Sequence, residues 1–189
     1  MFLVLFAFAC ALPETSDEAP RDTDSGLETT WFSGTSDGQS ADGTFDEPAA
    51  ELLFVRILDR VASTIEEQVW TEQGAGDPWE YDALTHAVDP EAGTFTADFV
   101  TDDGTLEVVG GYDAGEPWAW TAWHSTSTYV DGIYAGTAVL SEDSLAADGV
   151  VTAEKEVYDA GGAHTWSIVE VLTPISEADH DARLAEVTD

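Results

Sequence analysis

The sequence predicts an α+β fold, in which an N-terminal amphipathic helix packs on a curved antiparallel β-meander of about seven strands. A short C-terminal helix is expected to follow the sheet. Three observations support this prediction: apolar residues at helical spacing over residues 48–70, alternation with a period of two after residue 78, and turn dipeptides between the alternating runs. We expect the curved sheet to form an incomplete barrel.

The predicted N-terminal helix covers residues 48–70. Apolar side chains recur there mostly three or four positions apart, as is typical of one face of a helix: Leu52, Phe54, Leu58, Val61, Ile65 and Val69. Charged residues fall mainly between them. We therefore expect this face to pack on the sheet. Binding to a membrane is disfavoured because the polar face is not basic.

Seven runs of apolar and β-favouring residues predict the strands, at 79–88, 94–100, 105–112, 117–129, 133–141, 150–158 and 164–173. Asp-Gly pairs between several of these runs favour tight hairpins, because both residue types tolerate positive φ. Short connections between consecutive strands imply an antiparallel meander. Pro174 ends the last strand, and Ser176 with Asp179 predicts the start of the terminal helix.

The charge of the chain is extreme. Its 189 residues include 39 acidic and only 5 Lys or Arg, giving a net charge of −34, and Lys155 is the single lysine. Such a chain repels phosphates, so nucleic acid is excluded as a partner. The acidity has two interpretations, adaptation to a salty environment or a surface that binds cations and basic partners.

Residues 1–9 form an unbroken apolar run, MFLVLFAFA, which is far shorter than the roughly 20 residues that cross a bilayer. Its length and its small residues Ala7 and Ala9 predict a signal peptide that is removed before Cys10. Cys10 is the only cysteine, so the chain has no internal disulfide.

The segment Ala7-Phe8-Ala9-Cys10 resembles the lipobox of prokaryotic lipoproteins. This resemblance implies that Cys10 carries a lipid and anchors an exported protein to the cell envelope. With Ala11 after the cysteine, it implies the outer membrane in a Gram-negative cell. Two alternatives remain open: an ordinary signal peptide followed by an unmodified Cys10, and a truncated gene.

Residues 10–45 are predicted to be the lipidated cysteine followed by a disordered acidic linker. This stretch is rich in Ser, Thr, Asp, Gly and Glu and has little aliphatic content, so it cannot bury enough surface to offset the entropy of ordering. Trp31-Phe32 is its one apolar spot, where a short docking segment is an alternative. The predicted organisation is thus a signal peptide at 1–9, the linker at 10–45, and one domain at 46–189.

Aromatic residues supply the candidates for a ligand-lining site. Trp118, Trp120 and His124 alternate onto one face of a predicted strand, and Tyr134 and Trp166 are expected to line the same cavity. Paired tryptophans on one face suit an apolar ligand or a sugar ring. The alternative is that these side chains pack in the core against the first helix.

Motifs for catalysis, metals and cofactors are missing from the sequence. It contains no H-E-x-x-H, no G-x-S-x-G, and no phosphate-binding or dinucleotide motif, so we predict no catalytic residue, no metal and no cofactor. Carboxylate pairs carry little information in a chain this acidic. A metal shared by His124 and His164 is an alternative, because both are expected on strands.

The predicted shape is similar to the envelope lipid-carrier lipoproteins of the outer-membrane sorting pathway. Without its first helix it would look more like a lipocalin-type barrel. We expect a non-catalytic envelope lipoprotein that acts as a surface interaction or structural module. One alternative is a carrier of an apolar or amphipathic ligand in a curved-sheet cavity, and a second is a hydrolytic enzyme. The implied partners are the membrane, through the lipid, and a protein or an apolar ligand.

Overall fold

The computed structural model describes residues 26–73, 79–101, 103–113 and 118–188. These residues form a closed barrel of ten antiparallel strands, and one helix follows it at the C-terminus. The predicted α+β fold is therefore wrong: no N-terminal helix is present in this part of the chain, and the barrel is closed rather than incomplete. None of the described helical structure has the length and apolarity needed to cross a membrane.

The strands follow one another along the chain with short connections. They are β1 (Leu27–Ser40), β2 (Asp46–Asp59), β3 (Thr64–Thr71), β4 (Glu80–Asp89), β5 (Thr94–Thr101), β6 (Gly104–Tyr112), β7 (Ala122–Tyr129), β8 (Ala138–Leu145), β9 (Val151–Tyr158) and β10 (His164–Ile175). The helix α1 covers Glu177–Thr188.

Each strand pairs with the next one, and β1 closes the barrel against β10 over the register from Trp31↔Ile175 to Ser40↔Trp166. Every strand thus has two neighbours, and closure removes the free sheet edges that favour aggregation. Alternate side chains of each strand point into the barrel.

The segment predicted as the N-terminal helix forms the hairpin of β2 and β3 instead. Its turn is held by Asp59, whose carboxylate accepts hydrogen bonds from the backbone N–H groups of Val61 and Ala62, both at 2.8 Å. Ser63 completes the turn with a φ of 55°. Aromatic and β-branched residues on both sides of the turn favour strands over a helix.

Strand β2 is buried on both faces, which explains why the spacing of its apolar residues resembled that of a helix. Leu52 and Phe54 point into the barrel, while Leu53 and Val55 point outward and are nevertheless buried. Trp70, the β3 partner of Leu53, meets the His180 ring of α1 edge-on at 5.5 Å. A strand that is apolar on both faces shows no alternation with a period of two.

The first strand lies in the stretch predicted as a disordered linker. Leu27–Ser40 form β1, and Phe32 is fully buried with its ring 5.8 Å from that of Phe54. This part of the predicted linker therefore belongs to the barrel. The predicted signal peptide and Cys10 lie outside the described residues.

The antiparallel sheet predicted after residue 78 is confirmed, although two of its runs are misplaced. The run predicted at 133–141 corresponds to β8, which begins only at Ala138, and the run predicted at 117–129 becomes a strand only at Ala122. The C-terminal helix is present, and the Ser176 hydroxyl caps it by accepting a hydrogen bond from the Asp179 N–H at 3.1 Å.

Candidate functional site

The interior of the barrel contains charged side chains among its apolar core. Six ionisable residues there are at most 4% exposed: Arg56, Glu67, His86, Asp143, Lys155 and Glu170. The chain has only 5 Lys or Arg. Two of them, including its single lysine, are thus buried inside the barrel. Buried charges are rare because removing them from water is costly, so this interior cluster is the candidate site.

One half of the interior cluster lies on β2, β3 and β4. The Arg56 guanidinium donates to Glu67 Oε1 from Nε at 3.3 Å and from Nη2 at 3.1 Å. The other oxygen of Glu67, Oε2, lies 3.1 Å from His86 Nε2. Aromatic rings surround the guanidinium, with ring centroids at 5.4 Å for Phe54 and 5.8 Å for Trp123, which suits a delocalised cation.

The other half lies on β9 and β10, where Lys155 Nζ is 2.7 Å from Glu170 Oε1. Burial raises the pKa of the Glu170 carboxyl, and the Lys155 ammonium and the Ser36 hydroxyl counteract this effect. The close ammonium thus favours the ionised form of this carboxyl, while burial opposes it. Both halves of the cluster therefore contain one cation matched with one carboxylate.

Asp143 on β8 is the third interior carboxylate. The Ser141 hydroxyl donates to it, with its oxygen 3.0 Å from Oδ2 and 3.2 Å from Oδ1. Among the described residues, no ion pair joins Asp143 to a basic side chain. Burial raises the pKa of Asp143 well above its usual value, opposed mainly by Lys155, while the negative charges of Glu170 and Glu67 raise it further.

Small side chains are also buried inside the barrel. They are Ser36 on β1, Ser125 and Ser127 on β7, Ser141 on β8 and Ala153 on β9. At about eight strands a barrel interior is just wide enough to be filled by side chains or to hold one small ligand, and the diameter grows with strand number. Two buried polar atoms, Ser125 Oγ and His86 Nδ1, have no hydrogen-bond partner within the described residues. The interior therefore combines polar atoms that lack partners with a wall of short side chains.

The five residues predicted to line a ligand cavity are not brought together. Trp118 and Trp120 lie in the connection before β7, and Trp120 is buried with its ring stacked on Tyr112 at 3.8 Å. Tyr134 lies in the β7–β8 connection, at the opposite end of the barrel, where it packs on Tyr129 at 5.5 Å.

The remaining two predicted residues also lie apart. Trp166, near the start of β10, packs partly buried against the core and meets Phe45 edge-on at 5.9 Å. His124 is exposed on the outer face of β7. Four of the five aromatic and histidine candidates thus pack against the core at the two ends of the barrel, and His124 faces solvent.

His124 lies in a groove of about 450 Å³ across the outer face of β7, β8 and β9. Polar and acidic side chains line it, among them Asp113, Glu142, Ser144, Thr152 and Glu154. His164 instead contacts the backbone carbonyl of Trp166 at 2.8 Å, so the two histidines share no site. Across the described ranges, no three His, Cys, Asp or Glu side chains are arranged to hold a metal ion.

Sequence reasoning missed the interior cluster, although two residues gave a signal. Arg56 interrupts the apolar stretch between Leu52 and Leu58, and Lys155 occupies the strand face opposite Glu154 and Glu156. A cation on an apolar strand face indicates a buried partner.

Comparison with known proteins adds little. No family model and no curated protein matches the sequence. The structure is similar to a proposed thioesterase II from Thermobifida fusca, with 13% identity, 78% of this chain and 79% of that chain covered, and a TM-score of 0.23. It is also similar to a proposed AttH from Nitrosomonas europaea, with 12% identity, coverage of 84% and 74%, and a TM-score of 0.23. Likenesses this weak carry no argument about function.

Proposed function

We propose that this protein is a non-catalytic binding protein that carries a small amphipathic ligand inside its barrel. The buried interior cluster is the observation that supports the proposal. A barrel of this kind needs no interior charge for stability, because well-packed apolar residues in place of buried ion pairs are often neutral or stabilising. The charges therefore suit recognition of a polar group, and the surrounding rings suit an apolar body.

The unpartnered polar atoms support the same proposal. Ser125 Oγ and His86 Nδ1 lack hydrogen-bond partners among the described residues. A buried donor or acceptor that forms no hydrogen bond costs about 1–3 kcal/mol. A ligand that bonds to these atoms would recover this free energy. A hydrolase would instead need a nucleophile hydrogen-bonded to a base inside the barrel, and no described nucleophile bonds to His86 Nδ1. The contact between Ser167 Oγ and His164 Nε2, at 3.2 Å, is exposed on β10 and away from the interior cluster.

A second candidate function is a surface interaction module. Val100, Val130 and Ile133 are exposed at one end of the barrel, around the β5–β6 turn and the β7–β8 connection. These two connections are joined by a hydrogen bond from the Ile133 N–H to the Asp103 carbonyl at 2.9 Å. An exposed apolar group of this kind favours contact with a protein partner.

Native mass spectrometry of the full chain, purified gently from its own host, tests the carrier proposal. We expect a bound small molecule that is lost on denaturation. Ser125→Leu, which fills the barrel from the inner face of β7, should remove the extra mass. Thr126→Leu, on the outer face of the same strand, is the matched control and should keep it. A wild-type chain without any bound mass would favour the interaction module.

We further propose that the barrel is anchored to the cell envelope by a lipid on Cys10. The apolar run before Cys10 and its small residues support this proposal. Cys10→Ser should move the protein from the membrane fraction to the soluble fraction of its host. Unchanged fractionation of this variant would contradict lipid anchoring and leave the binding proposal untouched.

A further inference from the structure

The interior cluster contains three carboxyl groups but only two Lys or Arg side chains, and His86 contacts Glu67. Arg56 is matched with Glu67, and Lys155 with Glu170. Asp143 is a third carboxyl group, and it forms no ion pair among the described residues. An anionic ligand would therefore meet two cations that already have carboxylate partners, together with an additional carboxyl group that could not ionise beside it.

We propose that the ligand is an amphipathic amine, an apolar body carrying a protonated amino group, and that Asp143 and Ser125 receive its ammonium. This inference rests on the proposed binding function and names its ligand class. The ammonium donates hydrogen bonds but accepts none, so it requires acceptors. A carboxylate and a hydroxyl oxygen without a partner in the described structure are the acceptors that it needs.

The strand register brings these acceptors together. Ser125 on β7 is paired directly with Ser141 on β8, and the Ser141 hydroxyl bonds to the Asp143 carboxylate. Ser125 and Asp143 therefore lie diagonally across two neighbouring strands, within reach of one bound group. Both side chains are buried, with 4% exposure each.

The surroundings of Asp143 suit an ammonium ion. Trp123 is the direct cross-strand partner of Asp143, and Tyr112 pairs with Trp123 on the next strand. Aromatic faces attract cations through their quadrupole, and the apolar body of an amine packs on the same rings. The net charge of −34 also raises the local concentration of cationic ligands around the barrel.

The protonation of Asp143 adds a measurable signature. Burial raises the pKa of this carboxyl well above its usual value, and the charged groups around it are Lys155, Glu170 and Glu67. Without ligand, Asp143 therefore holds its proton to a pH at which an exposed aspartate is ionised. When an ammonium enters, the neutral carboxyl becomes a carboxylate paired with it, and its proton is released to solvent.

The test uses three probes with the same eight-carbon tail: octylamine, octanoate and 1-octanol. Calorimetric titration of the full chain should show the tightest binding for octylamine. Asp143→Asn keeps the shape of the side chain and removes its charge, so it should weaken octylamine about 10- to 100-fold and leave octanol nearly unchanged. Glu107→Gln, exposed on the outer face of β6 and outside the groove beside His124, is the matched control and should bind as wild type does.

Proton release separates this role from a structural one. Titrations at a mildly acidic pH in two buffers of different ionisation enthalpy should show that wild type releases protons on binding octylamine. Asp143→Asn should release none. Ser125→Ala, which keeps the buried charges intact, should weaken octylamine severalfold, and circular dichroism melting checks that both variants fold.

The possible failures are distinguishable. Octanoate or octanol binding at least as tightly as octylamine would overturn the amine as ligand class and leave the carrier function in place. Octylamine affinity that is unchanged in Asp143→Asn would overturn the assignment of Asp143. A wild-type chain that binds none of the three probes would overturn both the amine and the carrier.

Discussion

Arg56 and Glu67 form an ion pair whose two side chains are almost fully buried, so the effect of removing one partner is large. Arg56→Met leaves the Glu67 carboxylate without its guanidinium, next to His86. We expect a loss of about 3–5 kcal/mol in the free energy of unfolding, which is the usual cost of leaving one buried charge unpaired. Urea unfolding monitored by tryptophan fluorescence measures it.

Arg60 provides the matched control for this prediction. It pairs with Glu28 at 2.8 Å, but its side chain is half exposed, so Arg60→Met should cost less than about 1 kcal/mol. The double variant Arg56→Met, Glu67→Met should recover most of the loss, because both charges are removed together. Equal losses for Arg56→Met and Arg60→Met would show that the interior pair is solvated.

The raised pKa of Asp143 predicts how the free energy of unfolding depends on pH. Because its pKa is raised in the folded chain, the folded state binds more protons than the unfolded state between the usual aspartate pKa and the raised one. This group therefore lowers the free energy of unfolding as pH rises through that window. Asp143→Asn should remove this contribution and stabilise the chain at neutral pH.

Unfolding measured at a series of pH values checks this prediction. Glu142→Gln removes one charge from the outer face of the same strand and controls for the general acidity of the chain. The decline in stability with pH should be shallower in Asp143→Asn than in Glu142→Gln. Identical slopes for the two variants would mean that Asp143 is ionised in the folded state at all of these pH values.

The interior cluster shows what residue patterns can and cannot predict. Lys155 and Glu170 are 15 positions apart in sequence, and they meet because β9 and β10 pair in a register that places them on the same face. The register between these two strands could not be predicted from the sequence of either strand alone. Arg56 interrupts an apolar stretch, and this position in the sequence indicated that its side chain is buried. The helical interpretation of the same stretch instead placed the Arg56 side chain on the solvent face.

At the scale of elements, β3 contains the signal that separates strand from helix. Its residues alternate between partly exposed and buried along its whole length, from Thr64 to Thr71. The preceding strand hides this signal, because Leu53 and Val55 on its outer face are buried as well. The strands of the later meander were predictable since their outer faces are polar. Helix α1 was predictable through its cap at Ser176.

The burial of Leu53 on the outer face of β2 gives the element-scale prediction. Leu53→Ala should destabilise the chain by about 2–4 kcal/mol, because its side chain is buried although it points away from the barrel interior. Leu140 also points outward, on β8, but it is 42% exposed. Leu140→Ala should therefore cost less than about 1 kcal/mol. Similar losses for the two variants in urea unfolding would show that the outer face of β2 is no better buried than that of β8.

For the whole molecule, closure of the barrel depends on its least apolar strand. β1 contains Thr, Ser, Gly and Asp at most positions, and Phe32 is its only large buried side chain. Its stability comes from pairing with β2 and β10 rather than from its own composition. This is why residue composition predicted a linker there, and why the closed barrel was not predictable from the sequence.

The net charge of −34 leads to the prediction for the whole molecule. Most acidic side chains lie outside the barrel, so their mutual repulsion opposes folding, and the screening length shortens from about 10 Å at 0.1 M salt to about 3 Å at 1 M. We expect the melting temperature to rise by at least about 4 °C over this range, which corresponds to about 1 kcal/mol or more for a chain of this size. Differential scanning calorimetry measures it.

Choline chloride distinguishes screening from a specific cation site. Its large cation screens charge as sodium does, but it cannot replace sodium in a small oxygen-lined site. If the melting temperature rises equally in sodium chloride and in choline chloride, the result would support adaptation of the acidic surface to salt. A rise in sodium chloride alone would support a cation-binding surface, of which the groove beside His124 is one candidate. A melting temperature that stays flat or falls in both salts would contradict the prediction and show that surface repulsion does not limit the stability of this barrel.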